Sequence, residues 1–200
     1  MRLVEGTAAV DDVDEFVATL GDIGETHDCA VQAFDARYVA GRAHLATAVS
    51  HANRSVARGE NVADDRTVEI LLYAAGRRQI TQALTMGVEP GEGPVVVVVD
   101  GGDERDGPTD RVGEGGRVEQ VGEDGGTDVF DRDGPRDRPD EDVAAAAVGE
   151  LLSPEPTLGV AADVERLCAF FDVTEAERAA TDADLEALVC ERVALLDVEK

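Results

Sequence analysis

Apolar residues along the chain fall into blocks whose spacing alternates between extended and helical. Leu3 to Glu5 reads as a short strand. Val13, Phe16, Val17 and Leu20 then recur at helical spacing, so Val10 to Leu20 predicts a helix begun by Asp11 and Asp12 and ended at Gly21 and Gly24. Cys29 to Phe34 predicts a second strand, and Asp35-Ala36-Arg37 turns into a helix with Leu45, Ala48, Val49, Ala52 and Val56 inward and Gly59 as its stop. Glu69 to Leu84 holds two apolar halves joined at Gly76. Ile70, Leu71, Tyr73 and Ala74 form a buried first half capped by Asp64 or Asp65; Arg77-Arg78-Gln79 opens a second helix carried inward by Ile80, Ala83 and Leu84 and closed by Gly87.

Pro94 to Val99 is a run of valines too uniform for a half-exposed strand, which places it centrally in a sheet covered on both faces. Helical spacing returns at Val143 to Leu152, with Val148, Leu151 and Leu152 inward, and stops at Pro154 and Pro156. Three closing helices follow. Val164, Leu167, Cys168 and Phe171 line the first; Thr174 and Glu177 form a capping box for the second; Leu185, Leu188, Val189, Val193 and Leu196 stripe the last. The expected fold is α+β, a small mixed β-sheet packed by several α-helices, in a single domain built from residues 1–100 and 143–200. Residues 101–142 change to Gly, Asp, Glu, Arg and Pro and read as a disordered acidic insertion, with a brief strand-like flavour at Gly115 to Val121.

Composition alters this picture in two places. With 43% hydrophobic residues but no tryptophan, the core of this 200-residue chain must be built from Val, Ala and Leu. The formal charge of −26 and the single lysine, Lys200, resemble a halophile's proteome, in which an acidic hydrated surface keeps proteins soluble in molar salt. Such a charge describes the solvent more than the partners, and it does not exclude RNA. Against that background Arg37, Arg42, Arg54, Arg58, Arg66, Arg77 and Arg78 make one stretch where arginines outnumber acids.

Cys29, Cys168 and Cys190 are odd in number and far apart, so they read as small core residues and not as a disulfide framework or zinc knuckle. No apolar run reaches membrane-spanning length and the first residues lack a signal segment, so the protein is expected in the cytoplasm. His44 and His51 are seven residues apart, a poor spacing for sharing a metal ion. Neither Gly-x-Ser-x-Gly nor a phosphate-cradling glycine loop precedes a helix, and Val99-Asp100-Gly101-Gly102 leads into the acidic insertion instead. Neither an enzyme nor a cofactor or metal is indicated. The chemistry that remains is at Gly76: a helix beginning there would aim unpaired amides outward beside two guanidinium groups and a glutamine, a grip for phosphate or carboxylate. The alternative is that both arginines sit in solvent or pair with acids.

The run from Val68 to Ile80, VEILLYAAGRRQI, followed by Ala83-Leu84 and Gly87-Val88, resembles the signature of the kinase-binding accessory subunit of the KEOPS complex, the TPRKB-like family. Leu185 to Val198, LEALVCERVALLDV, is similar to that family's C-terminal helix, and Ala43-His44-Leu45 with Ala48 falls at its first well-formed helix. The long acidic insertion and the scarcity of lysine depart from the pattern. The resemblance implies a non-catalytic subunit of the machinery that attaches threonylcarbamoyl to adenosine in tRNA. It implies one surface for the complex's kinase/ATPase, placed on Leu188, Val189, Arg192, Leu195 and Leu196, which the subunit stimulates. It implies another for the tRNA 3' CCA end, placed on Gly76, Arg77, Arg78, Gln79 and Ile80, with Tyr38 or Tyr73 as a stacking platform, although Tyr73 is expected to be buried. The reading that competes with it is a small-ligand-binding protein or enzyme using the Gly76 helix start as a phosphate or carboxylate site.

Overall fold

The computed structural model describes residues 1–102 and 140–197. Its centre is β3 (Gly91–Asp100), whose Val95 to Val99 are all buried. On one side β3 pairs antiparallel with β1 (Arg2–Val10), Arg2 opposite Val99 and Val10 opposite Gly91; on the other it pairs antiparallel with β2 (Ala30–Asp35). The two-residue β4 (Ser153–Pro154) joins the far edge of β1 at Gly6 and Thr7, giving the order β2-β3-β1-β4. The fold is therefore α+β as expected, but the sheet is antiparallel throughout and not mixed.

The valine run is explained by what covers it. Val96 and Val98 face a core shared with α2 (Arg42–Arg58), α3 (Arg66–Ala75) and α8 (Leu185–Leu195). Val95, Val97 and Val99 face Leu20 of α1 (Val13–His27) and Ala144 and Val148 of α5 (Glu141–Gly149). Burial of each valine side chain stabilises the fold by about 1.5 kcal/mol or more, and a strand apolar on both faces can sit nowhere but between two layers.

Two elements outrun their sequence signals. β1 has nine residues where three were expected, because β3 offers it a hydrogen-bonding partner along its whole length and so overrides the weak strand preference of Gly6 to Ala9. Helix α1 does not stop at Gly21 or Gly24 but runs on to His27, where Asp28 closes it in the left-handed conformation. Gly24 is there for contact: a Cβ would lie 2.6 Å from the Cys29 carbonyl oxygen. Asp12 caps α1 through the Asp14 and Glu15 amides, and Asp65 caps α3 through Thr67. Helix α2 begins at Gly41, which has no side chain to cap it; Glu186 of α8 supplies the cap, accepting from the Ala43 and His44 amides at 2.6 and 3.2 Å.

Apart from its two ends, the insertion expected at 101–142 lies outside the described residues, as does the strand-like Gly115 to Val121. Asp140 and Glu141 belong to the fold: Asp140 caps α5, and Glu141 accepts from the α-amino group of Met1 at 2.7 Å. No helix among the described residues is long and apolar enough to cross a membrane. All three cysteines are free, and burial pushes the Cys29 and Cys190 thiols up.

Candidate functional site: an arginine–aromatic surface beside the Gly76 turn

Helix α3 ends as its sequence predicts, with Gly76 in the left-handed conformation at φ 58°. The consequence for the neighbouring amides differs from the expectation. The Gly76 N–H donates to the Tyr73 carbonyl and the Arg77 N–H to the Leu72 carbonyl, both at 3.0 Å, so these amides close α3 and do not point outward. The next helix, α4 (Ile80–Ala83), starts three residues later and is one turn long. No helix-start anion cradle forms at Gly76 and Arg77, and this removes the footing of the small-ligand reading.

The two arginines are drawn across the molecule. Arg77 donates to the carbonyl of Phe170, the last residue of α6 (Val164–Phe170), and pairs with Asp172 at 3.1 Å. Arg78 donates to the Leu196 carbonyl at 2.8 Å, beyond the end of α8, and its Nε is buried without a hydrogen-bond partner among the described residues. Arg37 pairs with its sequence neighbour Asp35 at 2.7 Å, whereas Arg66, like Arg77 and Arg78, is answered from distant sequence, by Asp100. Spacing along the chain carried no sign of these partners, since Arg77 and Phe170 meet only through tertiary folding. Gln79 and Ile80 stay exposed at the tip of the turn.

Around Arg77 the structure assembles a row of rings. Its guanidinium lies 5.5 Å from the Phe170 ring centroid, Phe170 meets Tyr38 edge to face at 5.3 Å, and the Arg166 guanidinium lies 5.0 Å from the Tyr38 centroid. Phe170, Tyr38, Arg166 and Arg77 are all half-buried. Behind them Phe171 packs edge-on against Phe170 at 5.0 Å and against His44 at 5.4 Å. Tyr38 is at the site; Tyr73 is buried, stacked on His51 and bonded to Asp197. Arg166 and Phe170 were not singled out from sequence. Their signal, an Arg and a Phe one helical turn apart on α6, is too common to notice alone.

His44 supports this surface from inside. It is fully buried; its Nδ1 accepts from the Ala40 amide at 3.3 Å, so Nε2 carries the proton and donates to the Ala74 carbonyl at 2.8 Å. Burial pulls its pKa down from 6.5 to about 4, against smaller opposing contributions from the Ala74 carbonyl and Glu186.

Helix α8 requires a correction. Leu188, Val189 and Leu196 are core residues, packed with α2 and α3, because the helix is wedged into the molecule along that side. Arg192 is held inward, donating to both oxygens of Glu177 on α7 (Glu175–Ala180) and to the Phe171 carbonyl. Of the five positions, Leu195 alone is substantially exposed, at 46%. No group of His, Cys, Asp and Glu able to hold a metal occurs among the described residues.

The fold is an α+β domain that carries a guanidinium–aromatic surface beside the Gly76 turn, whose backbone amides are turned inward. Over residues 9–197 the sequence matches the family described as kinase binding protein CGI-121, and the chain belongs to that family. Membership supports a kinase-binding accessory role, with a kinase as partner. No curated protein matches the sequence.

Proposed function

We propose that this chain is the non-catalytic CGI-121-type subunit of a KEOPS complex in the cytoplasm of a halophilic archaeon, where it binds and stimulates the kinase/ATPase and holds the 3' CCA end of tRNA during threonylcarbamoyl modification. The observation that carries the reading is family membership over nearly the whole chain, joined to the arginine–aromatic surface at the Gly76 turn. Unpaired bases are recognised by stacking on rings and guanidinium planes and by hydrogen bonds to base edges. Tyr38 and Phe170 are suited to the first, and Gln79 with the remaining outer nitrogen of Arg77, Nη1, to the second. In molar salt counterion release contributes little, so directional contacts of this kind must carry the affinity.

The kinase surface then belongs to the outer flank of α8, around Leu195, Glu191 and Ala187, since the inner flank is spent on the core. The two surfaces adjoin: Arg78 ties the Gly76 turn to the end of α8.

The test uses the exposed residues. Replacing Arg77 and Arg78 would also sever the bonds to Phe170 and Leu196, whereas Gln79→Glu with Ile80→Asp alters the surface alone. That double variant should bind CCA-ended tRNA at least about tenfold more weakly in fluorescence anisotropy, with circular dichroism unchanged, and Leu195→Asp should weaken kinase association in co-purification. Wild-type affinity for CCA-ended tRNA in the first variant, or equal wild-type affinity for tRNA lacking its terminal adenosine, refutes the RNA assignment.

A further inference from the structure

Helix α2 departs from the composition of the chain around it. With 44 acids among 200 residues, a 17-residue helix holds several by composition alone, yet α2 has none. It also opens against its own dipole. The positive end of a helix favours Asp or Glu, and α1, α3, α5, α6, α7 and α8 each carry an acid in the first turn, whereas α2 begins with Arg42. Arg58 in the last turn suits the dipole; Arg42 in the first weakens the helix, so its presence calls for a reason outside helix stability.

The outward side of α2 is long and cationic. Arg2, Arg37, Arg66, Arg77, Arg166 and Arg192 pair with carboxylates, but Arg42, Arg54 and Arg58 are exposed and have no such partner among the described residues. Between them stand Ala43, Ala46, Ser50 and Ala57, also exposed. Val56, 38% exposed, is the one apolar residue larger than alanine that α2 leaves at the surface. Protein-binding surfaces are centred on aromatic and large apolar side chains, which this face lacks. Surfaces for nucleic acid are polar and positive, with phosphates bound by Arg, Ser and Asn side chains. The spread of the arginines selects the same ligand: Arg42 and Arg58 lie about 24 Å apart along the helix axis, beyond the reach of one small anion, so the occupant is a repeating polyanion.

A recess of about 350 Å³ adjoins the C-terminal half of this face, lined by Ser50, Asn53 and Arg54 of α2 together with Met1, Asp100 and Glu141. Both carboxylates are answered: Arg66 and the Asn53 Nδ2 donate to Asp100, and Glu141 accepts from the α-amino group of Met1. Arg54 is the cation of the lining that has no such partner.

We propose that the outward face of α2 is a phosphate track, on which Arg42, Arg54 and Arg58 grip the backbone of an RNA. Helix α2 starts at the arginine–aromatic surface, four residues beyond Tyr38 and with His44 bonded to the Ala74 carbonyl just before Gly76, and runs away from it. An RNA whose single-stranded end lies on Tyr38 and Phe170 is thereby led along α2. The track rests on the RNA reading above for the identity of its ligand, but it reads backbone and not bases, and it uses none of the residues assigned to the 3' end or to the kinase.

The test measures the full chain by fluorescence anisotropy against two labelled RNA hairpins, one with a single-stranded CCA end and one blunt, across a potassium chloride series. Arg42→Gln, Arg54→Gln and Arg58→Gln combined should weaken binding of both hairpins at least about tenfold. The slope of log affinity against log salt should flatten by about 2–3, with circular dichroism unchanged because glutamine is as good a helix former as arginine. Arg178→Gln, which removes an exposed arginine of α7, should change neither. Absence of wild-type binding to the blunt hairpin at about 0.1 mM protein, wild-type affinity or an unchanged salt slope in the triple variant, or an equal loss per charge from Arg178→Gln overturns the proposal. So does loss of the kinase in co-purification while RNA binding persists, which would make the occupant an acidic protein. Equal wild-type affinity for the two hairpins, with the triple variant weakened on both, supports the track and removes the 3' end assignment alone.

Discussion

Acid should weaken this fold through His44, and the size of the effect follows from its surroundings. The imidazole is fully buried and neutral, with a pKa of about 4 in the fold against 6.5 in the unfolded chain. Between those values the unfolded state binds the extra proton, so stability is lost as pH falls through 6.5 and the loss levels off below about 4. At pH 5 the unfolded histidine is almost fully protonated and the folded one barely so, which amounts to about 2 kcal/mol of lost stability relative to pH 7.5. Many carboxylates titrate in the same range, so the informative quantity is a difference. Urea unfolding of wild type and His44→Gln at both pH values should show wild type losing about 2 kcal/mol more than the variant, whatever the variant's absolute stability. Equal pH slopes in the two proteins, or an imidazole resonance titrating near 6.5 in the folded protein, would falsify the argument. Because protonation occupies Nδ1 and breaks the bond it accepts from the Ala40 amide, and His44 packs against Phe171, the same protonation should loosen the arginine–aromatic surface before the sheet.

Three further outcomes rest on single contacts. Glu186→Ala removes the cap that α8 lends to α2 and should cost about 1 kcal/mol in urea unfolding, with glutamine at this position recovering part of it. Gly76→Val forces a branched side chain into the left-handed region and should destabilise by about 1–2 kcal/mol, whereas Gly76→Asn should cost less; Arg192 is the nearest neighbour at 3.6 Å, so strain and not collision sets the cost, and equal losses for both variants would contradict this. At Gly6 collision dominates: a Cβ there would lie 2.6 Å from the Ser153 carbonyl, so Gly6→Val should displace β4 and lower stability by about 1–3 kcal/mol, visible as faster amide exchange at residues 152–154.

Much of the architecture was legible because it is local. Val95 to Val99 announced a strand buried on both faces, Asp65 and Gly76 bounded α3, and Gly59 ended α2, since patterning, capping and left-handed closure act within a few residues. The resemblance carried by VEILLYAAGRRQI and the C-terminal run also pointed to the family that the match over residues 9–197 establishes. What needed the tertiary structure was everything decided by a partner far along the chain. β1 lengthened because β3 lay beside it, and α1 passed through two glycines because Gly24 had to admit the Cys29 carbonyl. Arg77 and Arg78 turned from an expected anion grip into ties to Phe170 and Leu196, while α8 sank its apolar face into the core and left Leu195 outside. A side chain's own sequence neighbourhood states what it can bind; which of the competing groups reaches it first is settled by packing, since a desolvated guanidinium or carbonyl must be satisfied by whatever the fold brings within hydrogen-bonding distance.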